Sequence, residues 1–283
     1  MESYYRAEAV LPGLTAIWSK TGEIMYLAQG TQKAVLIDTC LGVGHLRAFV
    51  EKLTDKPLAV LLTHGHVDHA MGAPAFDTVY MNPADLPIYA RMSPLAVRKG
   101  YMEALLGPEM PQVTEADFVP PQSLACKPLA DGDVFDLGGL HLEAYALAGH
   151  TPGTMVVLLR EPRILILGDA CNTATFLFDD DALPVAVYRR NVLALARRLD
   201  GRYDRVFLCH QERETSPEIL AGVASVCDDI LAGRADDLPF AFMGGTYSLA
   251  KAVGEKFRRL DGGVGNVIYN QRKVTEQREL SGN

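Results

Sequence analysis

Short apolar stretches separated by turn residues fill the first third of the chain. Three such stretches, at 14–19, 24–29 and 34–38, are punctuated by Pro12-Gly13, Thr21-Gly22 and Gly30. Apolar runs of four to eight residues bounded by glycine or proline are typical of strands, and this spacing predicts an antiparallel meander. A short helix at 45–53 and a strand at 58–62 follow. From there the strand and helix signals alternate, which indicates a layered α/β arrangement.

Two later segments have the 3.6-residue periodicity of amphipathic helices. The first has apolar residues at i, i+4, i+7 and i+11, with arginines on its other faces. The second opens with Ser216-Pro217, a cap followed by a first-turn proline, and stops before Gly233. Both are predicted to be helices that cover a sheet. Their apolar positions are Tyr188, Val192, Leu195 and Leu199, then Ile219, Leu220, Val223, Val226 and Ile230.

Four apolar stretches each end just before a side chain that can bind a metal ion. In α/β proteins, ligand sites tend to lie beyond the carboxyl ends of the strands, where neighbouring loops meet. We therefore expect the four segments to converge on one rim of a sheet. The stretches at 58–62, 140–147, 163–167 and 205–208 precede His64, His150, Asp169 and His210, respectively.

The first of these segments has the strongest chemical signal. Residues 64–69 contain three of the chain's seven histidines and one aspartate. Neutral imidazoles and a carboxylate are the donors that a borderline divalent metal such as zinc prefers. His45 and His141 lie instead within a helix and a strand candidate, and we interpret them as surface or packing residues.

Composition limits the classes of protein that fit. The chain has 283 residues, 48% of them hydrophobic, and a net charge of -8. Without clustered Lys and Arg it does not have the basic groove that nucleic-acid phosphates require. Five irregularly spaced cysteines do not form a disulfide framework. With no signal-peptide pattern at the start and no apolar run of membrane-spanning length, we expect a cytoplasmic protein without nucleic-acid or membrane partners.

The segment 74–133 interleaves proline, methionine and aromatic residues. A helix starting after Ser93-Pro94 is predicted to carry Leu95, Met102 and Leu105 inward. This segment is an insertion that forms either a lid or pocket wall or an ordinary packed surface, and periodicity alone does not separate these readings. The end of the chain, with a strand at 266–270, is expected to be a closing structural element, and a homodimer contact is one role open to it.

The segments that carry the metal-competent side chains follow one another in a distinctive order. In this order, and over roughly residues 14–210, the chain resembles the metallo-β-lactamase superfamily. The resemblance implies a single catalytic domain over 1–283 with the α/β fold of that superfamily, a four-layer αββα sandwich. The motifs that carry it are His64-x-His66-x-Asp68-His69, Gly149-His150-Thr151-Pro152-Gly153, Gly168-Asp169 and Cys209-His210.

The resemblance also implies a centre of two divalent metal ions, with zinc as the default and iron or manganese able to use the same ligands. A metal-bound water ionises near pH 7, so hydroxide is available for attack. Asp68 would orient this water or carry a proton to the leaving group, and Asp38 would support the metal-binding loop. The implied ligands are His64, His66 and His150 for the first metal, Asp68, His69 and His210 for the second, and Asp169 as a bridge.

The function that follows is a dinuclear metal hydrolase of a small-molecule ester, lactone, thioester, amide or phosphoester. A mononuclear iron oxidoreductase resembling the persulfide dioxygenases is the alternative, and a non-catalytic binder is a third class. His at position 66, where the diiron flavoprotein oxygen reductases have Glu, disfavours a redox diiron centre. Cys171 and Cys209 adjoin two implied ligands; a packing role is favoured over a thiolate ligand for both.

Overall fold

The computed structural model describes residues 4–109 and 113–275. The chain forms two compact units. The first comprises the described residues of Met1–Ala146, Gly153–Gly168 and Arg202–Thr215. The second comprises those of Leu147–Pro152, Asp169–Gly201 and Ser216–Asn283. A single catalytic domain over 1–283 stays a prediction.

The first unit contains a seven-stranded sheet whose strands are neighbours in chain order. Its first four strands pair antiparallel, and the second to fourth of these form the predicted meander. The next three pair parallel, because helices occupy the connections and return the chain to the same end of the sheet. The strands are β1 (Tyr5–Leu11), β2 (Leu14–Ser19), β3 (Ile24–Gln29), β4 (Ala34–Ile37), β5 (Leu58–Leu61), β6 (Val79–Met81) and β7 (Lys127–Pro128).

A second sheet of six strands also belongs to the first unit, in the order β14-β13-β11-β10-β9-β8. One face of each sheet contributes to a shared apolar core, in which Tyr26 of the first sheet stacks on Phe207 of the second. The two sheets therefore pack face to face. The strands are β8 (Val134–Asp136), β9 (His141–Ala146), β10 (Met155–Leu159), β11 (Ile164–Ile166), β13 (Arg205–Phe207) and β14 (Glu214–Thr215).

Helices cover the other face of the first sheet, where Leu36 and Val60 share a core with Val50, Tyr89 and Met102. The helix predicted after Ser93-Pro94 is present. Its inward face differs from the prediction, however, because Leu105 is exposed and a buried arginine, Arg98, lies on the inward side with Met102. The helices are α1 (Leu46–Val50), α2 (Val67–Ala70), α3 (Leu86–Met92) and α4 (Leu95–Leu106).

The second unit contains the two amphipathic helices and a four-stranded sheet of order β12-β17-β16-β15. The helices pack on each other, and the four apolar positions that periodicity predicts for the first are buried, together with Val185. In the part of the chain that the structure describes, none of the helices combines the length and apolarity needed to cross a bilayer. The elements are β12 (Thr175–Leu177), α5 (Val185–Arg198), α6 (Ile219–Leu231), β15 (Leu238–Phe242), β16 (Gly245–Leu249) and β17 (Val267–Tyr269).

Candidate metal centre

The loop after β5 and the short helix α2 carry four of the candidate ligands, His64, His66, Asp68 and His69, all of them buried. The His64 ring centre lies 4.8 Å from that of His66 and 4.1 Å from that of His69. Buried polar side chains are costly unless they are hydrogen-bonded or bind an ion. The loop after β5 and α2 therefore place four buried side chains that can bind a metal ion at this end of the sheet.

Asp38, directly after β4, organises this loop. Its carboxylate accepts hydrogen bonds from the Thr63 backbone N–H at 2.7 Å and the Thr63 hydroxyl at 2.8 Å. It also lies 2.8 Å from Nδ1 of His69. Strands β4 and β5 are adjacent and parallel, so their carboxyl ends meet and bring Asp38 beside Thr63. This is the supporting role that the sequence resemblance implies for Asp38.

These hydrogen bonds determine which nitrogen each ring offers. The Thr63 hydroxyl has one proton, which it donates to Asp38, so its oxygen accepts from Nδ1 of His64 at 3.0 Å. Nδ1 of His69 likewise donates to the Asp38 carboxylate. We therefore assign the Nδ1–H tautomer to both histidines, which leaves the lone pair on Nε2. A histidine ligand held in this way is the usual arrangement in metal sites.

His210 follows β13 and reaches the same loop. The Ile24 N–H donates to the Cys209 carbonyl at 2.7 Å, and Glu23 and His210 form an isolated β-bridge, so the start of β3 holds the segment in place. Nε2 of His210 lies 3.2 Å from Nε2 of His69 and 3.4 Å from Oδ2 of Asp68.

The spacing of Asp68, His69 and His210 fits one metal ion. The third distance, from Nε2 of His69 to Oδ2 of Asp68, is 3.7 Å. Ligands at about 2.0–2.1 Å from a tetrahedral ion lie about 3.3–3.4 Å apart, close to the three distances observed. Two imidazole lone pairs and a carboxylate oxygen are also donors that a divalent ion accepts. These three residues of the first unit therefore fit the divalent metal ion that the sequence resemblance implies.

Cys209 is a further donor beside this group. Its ligand atom and those of His69 and His210 lie within 4.8 Å of one another, and its side chain is buried. The sequence favours a packing role for Cys209, and the structure places it within reach of a metal bound by the two histidines.

In the second unit, two further candidate ligands, His150 and Asp169, lie close together. Nδ1 of His150 donates to the Phe176 carbonyl at 2.7 Å, which again leaves the lone pair on Nε2. That nitrogen lies 3.7 Å from Oδ2 of Asp169. The two residues sit in the two loops that the sequence motifs mark.

Tyr188 of α5 braces both of these loops. Its hydroxyl donates to the Ala170 carbonyl at 2.6 Å, next to Asp169. A Cβ on Gly149, next to His150, would lie only 2.1 Å from Cδ2 of the Tyr188 ring, so the loop requires glycine there. Burial raises the pKa of Tyr188 well above its ordinary value, so the phenol stays a neutral donor.

Asp85 is a structural residue of the site that sequence reasoning missed. It is fully buried, and its carboxylate accepts hydrogen bonds from the N–H groups of Gly65 at 2.8 Å and Gly153 at 2.7 Å. A Cβ on either glycine would lie 2.6 Å from an Asp85 oxygen. The two glycines in the motifs were the available signal, but nothing in the sequence pairs them with an aspartate in the insertion.

His45, His141 and Cys171 agree with their predicted roles as surface or packing residues. His45 is exposed at the start of α1, and His141 pairs with Glu161 at 2.7 Å on the surface. All five cysteines are free thiols. Burial raises the pKa of Cys171 to about 12, so this thiol is neutral and acts as a small packed side chain.

Residues 24–210 match the family model described as the metallo-beta-lactamase superfamily. An uncharacterized protein of Mycobacterium tuberculosis is 34% identical over 134 residues, which are 44% of this chain and 53% of that protein. Acyl-coenzyme A thioesterase MBLAC2 of Gallus gallus is 25% identical over 186 residues, 62% of this chain and 66% of that protein. The chain thus spans between about half and two thirds of the length of these curated relatives.

A solved structure, a metallo-beta-lactamase from Pontibacter korlensis, aligns with a TM-score of 0.59 at 20% sequence identity. The alignment covers 78% of this chain and 97% of that one. At this identity the likeness shows the fold alone.

Proposed function

The chain belongs to the metallo-beta-lactamase superfamily, and on that premise we propose that it is a hydrolase that uses two divalent metal ions. Zinc is the default metal because the donor set is rich in imidazole, and iron or manganese suits the same donors. The observation that carries the proposal is the spacing of Asp68, His69 and His210, whose three donor atoms lie 3.2–3.7 Å apart like the ligands of one ion.

All of the ligands that the sequence implies belong to the proposed centre. The tautomers assigned to His64, His69 and His150 support this, because each ring keeps Nε2 available for a metal. The proposed ligands are His64, His66 and His150 for the first ion, Asp68, His69 and His210 for the second, and Asp169 between them.

A divalent ion in such a site supplies Lewis-acid chemistry, which polarises the scissile group and makes water easier to ionise at neutral pH. The protein's own contribution is to hold the donors and to move a proton. Asp38 and the Phe176 carbonyl keep His69 and His150 in the right tautomer. Asp68 is the proposed catalytic carboxylate, with the role of orienting the attacking water or of carrying a proton to the leaving group.

The proposed substrates are small-molecule esters, lactones, thioesters, amides or phosphoesters. Thioesters come first, because one similar protein is an acyl-coenzyme A thioesterase. A mononuclear iron oxidoreductase is the alternative from the sequence, and it would have no use for the second-ion group of Asp68, His69 and His210. We also propose a cytoplasmic location, which the five free thiols support.

The test combines elemental analysis of the purified protein with a panel of acyl thioesters, lactones, β-lactams and phosphodiesters. We expect two equivalents of metal and turnover of at least one class. His66→Ala and Asp169→Ala should each reduce kcat/KM by at least about 10³-fold, because each removes a metal donor. His141→Ala, which changes a histidine outside the centre, is the matched control. Hydrolysis that survives in either ligand variant after chelation would overturn the proposal.

A further inference from the structure

Helix α4 lies in the insertion and carries Tyr101, whose side chain contacts the proposed centre. The Tyr101 hydroxyl donates a hydrogen bond to Oδ2 of Asp68 at 2.6 Å. That same oxygen is the one that lies 3.4 Å from Nε2 of His210 and 3.7 Å from Nε2 of His69. The phenol therefore contacts the oxygen that faces the second-ion ligands.

The helix is fixed in place one turn earlier by Arg98. This guanidinium is almost fully buried and donates to the carbonyls of Leu41 at 2.8 Å, Gly42 at 2.7 Å and Val119 at 2.6 Å. It also lies over the Phe118 ring, 5.0 Å from its centroid. Burial lowers the pKa of Arg98 to about 10, which still leaves it charged at neutral pH. These hydrogen bonds hold α4 against residues 41–42 and against Val119.

The segment that receives Arg98 also holds the metal-binding loop. Thr39, just before it, donates from its hydroxyl to the His69 carbonyl at 2.9 Å and from its backbone N–H at 2.7 Å. The Met71 N–H donates to the Cys40 carbonyl at 3.1 Å. Residues 38–42 thus link α4 to α2, so Tyr101 approaches Asp68 from a fixed direction.

We propose that Tyr101 is a positioning residue that orients the Asp68 carboxylate for the second metal ion, and that α4 is a fixed wall of the centre. The proposal rests on the proposed function, since it assigns a role toward the second ion. A ligating carboxylate that receives a hydrogen bond from a fixed donor loses less freedom when it binds metal. Such outer partners commonly change metal affinity by about 10–100-fold.

The experiment titrates the metal-free protein with Zn²⁺ against a chromophoric chelator, for wild type and Tyr101→Phe. We expect the first ion to bind equally and the second to bind about 10–100-fold more weakly in the variant. The absorption of Co²⁺ added as the second equivalent should also change, because the Asp68 oxygen moves in its coordination sphere. Melting of the metal-free protein should be nearly unchanged, which separates positioning from a loss of structure.

Tyr89→Phe is the matched control. Tyr89 is buried in α3, and its hydroxyl donates to the Gln122 carbonyl at 3.1 Å rather than to a ligand. The Tyr89→Phe variant should bind both ions with the affinities of wild type. Arg98→Lys keeps Tyr101 but loses hydrogen bonds that hold α4 in place. It should also lower the affinity for the second ion, by a smaller factor than Tyr101→Phe does.

The outcomes separate the two proposals. Wild type that binds two ions and hydrolyses a substrate, with Tyr101→Phe equal to it in second-ion affinity, overturns the role of Tyr101 and leaves the function standing. Wild type that binds fewer than two ions overturns both. If Tyr101→Phe and Tyr89→Phe lowered the second-ion affinity equally, the loss of either hydroxyl would act through general stability. That result would also overturn the positioning role.

Discussion

The hydrogen bond made by one ring nitrogen of a histidine decides whether the other nitrogen has a lone pair for a metal. His64 and His69 both depend on Asp38, the first through the Thr63 hydroxyl and the second directly. One carboxylate therefore sets the tautomer of two proposed ligands that bind different ions. The sequence resemblance names Asp38 as a supporting acid, and the hydrogen bonds give the reason.

Asp38→Asn tests this at the level of one atom. If the amide N–H₂ faces His69, Nδ1 must accept, and the proton moves to Nε2, where it blocks metal binding. We expect zinc affinity to fall by at least about 10-fold, with the ¹⁵N shifts of His69 reporting the changed tautomer. Asp136→Asn is the control, because this exposed carboxylate accepts from the Gly138 N–H and lies 3.7 Å from Nε2 of His141, outside the proposed centre. Unchanged affinity in Asp38→Asn would contradict the assignment.

Asp85→Asn tests the buried carboxylate that holds two motif glycines. An amide has one oxygen, so one of the N–H groups of Gly65 and Gly153 would face another donor. We expect the free energy of unfolding to fall by about 1–3 kcal/mol, measured by urea titration. Asp133→Asn, whose carboxylate accepts from the Ala130 N–H on the surface, should cost less than this. Equal losses in the two variants would show that Asp85 has no special role.

At the scale of elements, periodicity predicts α5 well and α4 less well. The inward face of α5 consists of apolar residues, so hydrophobic spacing identifies it. The inward face of α4 includes Arg98, whose charge is satisfied by carbonyls from distant loops, and Leu105 is left exposed instead. A helix that packs through polar contacts does not follow the apolar pattern that sequence reasoning uses.

Strand β9 carries a polar network whose stability should depend on pH. Burial alone would raise the pKa of Glu143, but hydrogen bonds from Tyr145, Arg160 and Arg202 outweigh it and bring the pKa to about 2. Because the folded pKa lies below the ordinary value of 4.5, the carboxylate stabilises the fold above about pH 4.5. That contribution is lost as the pH falls from there toward 2.

The measurement is the unfolding free energy of wild type and Glu143→Gln at several pH values. The difference should be about 1–3 kcal/mol at pH 7 and should shrink steadily below pH 4.5. A difference that stays constant down to pH 3 would contradict the lowered pKa.

At the scale of the whole molecule, the fold predicted from the sequence, α/β of the metallo-β-lactamase type, is confirmed by the family match and by the solved structure. The proposed ligands come from segments far apart in the chain, with His69 and His210 separated by 141 positions. An ion that binds such a set binds the folded chain far better than the unfolded one.

Metal removal should therefore lower thermal stability. At a free metal concentration 100 times Kd, one ion adds about 2.7 kcal/mol to the free energy of unfolding. We expect the melting temperature of wild type to fall on chelation and to recover with added Zn²⁺, as followed by calorimetry. His64→Ala should show a smaller response. Equal melting temperatures with chelator and with zinc would argue against tight binding by the folded protein.

The sequence by itself determined the order of the metal-competent motifs, the fold type, the two amphipathic helices α5 and α6, and the strands with the clearest apolar runs. These depend on local patterns: apolar spacing, turn residues, and donor types that sit a few positions apart. Tertiary structure decided which ring nitrogen His64, His69 and His150 offer, the hydrogen bonds of Asp85 to two motif glycines, and the contact of Tyr101 with Asp68. Each of these joins residues that are distant in the chain, such as Asp85 and Gly153, which lie 68 positions apart. A hydrogen bond between distant segments forms only when packing has brought them together, so no local sequence pattern predicts it.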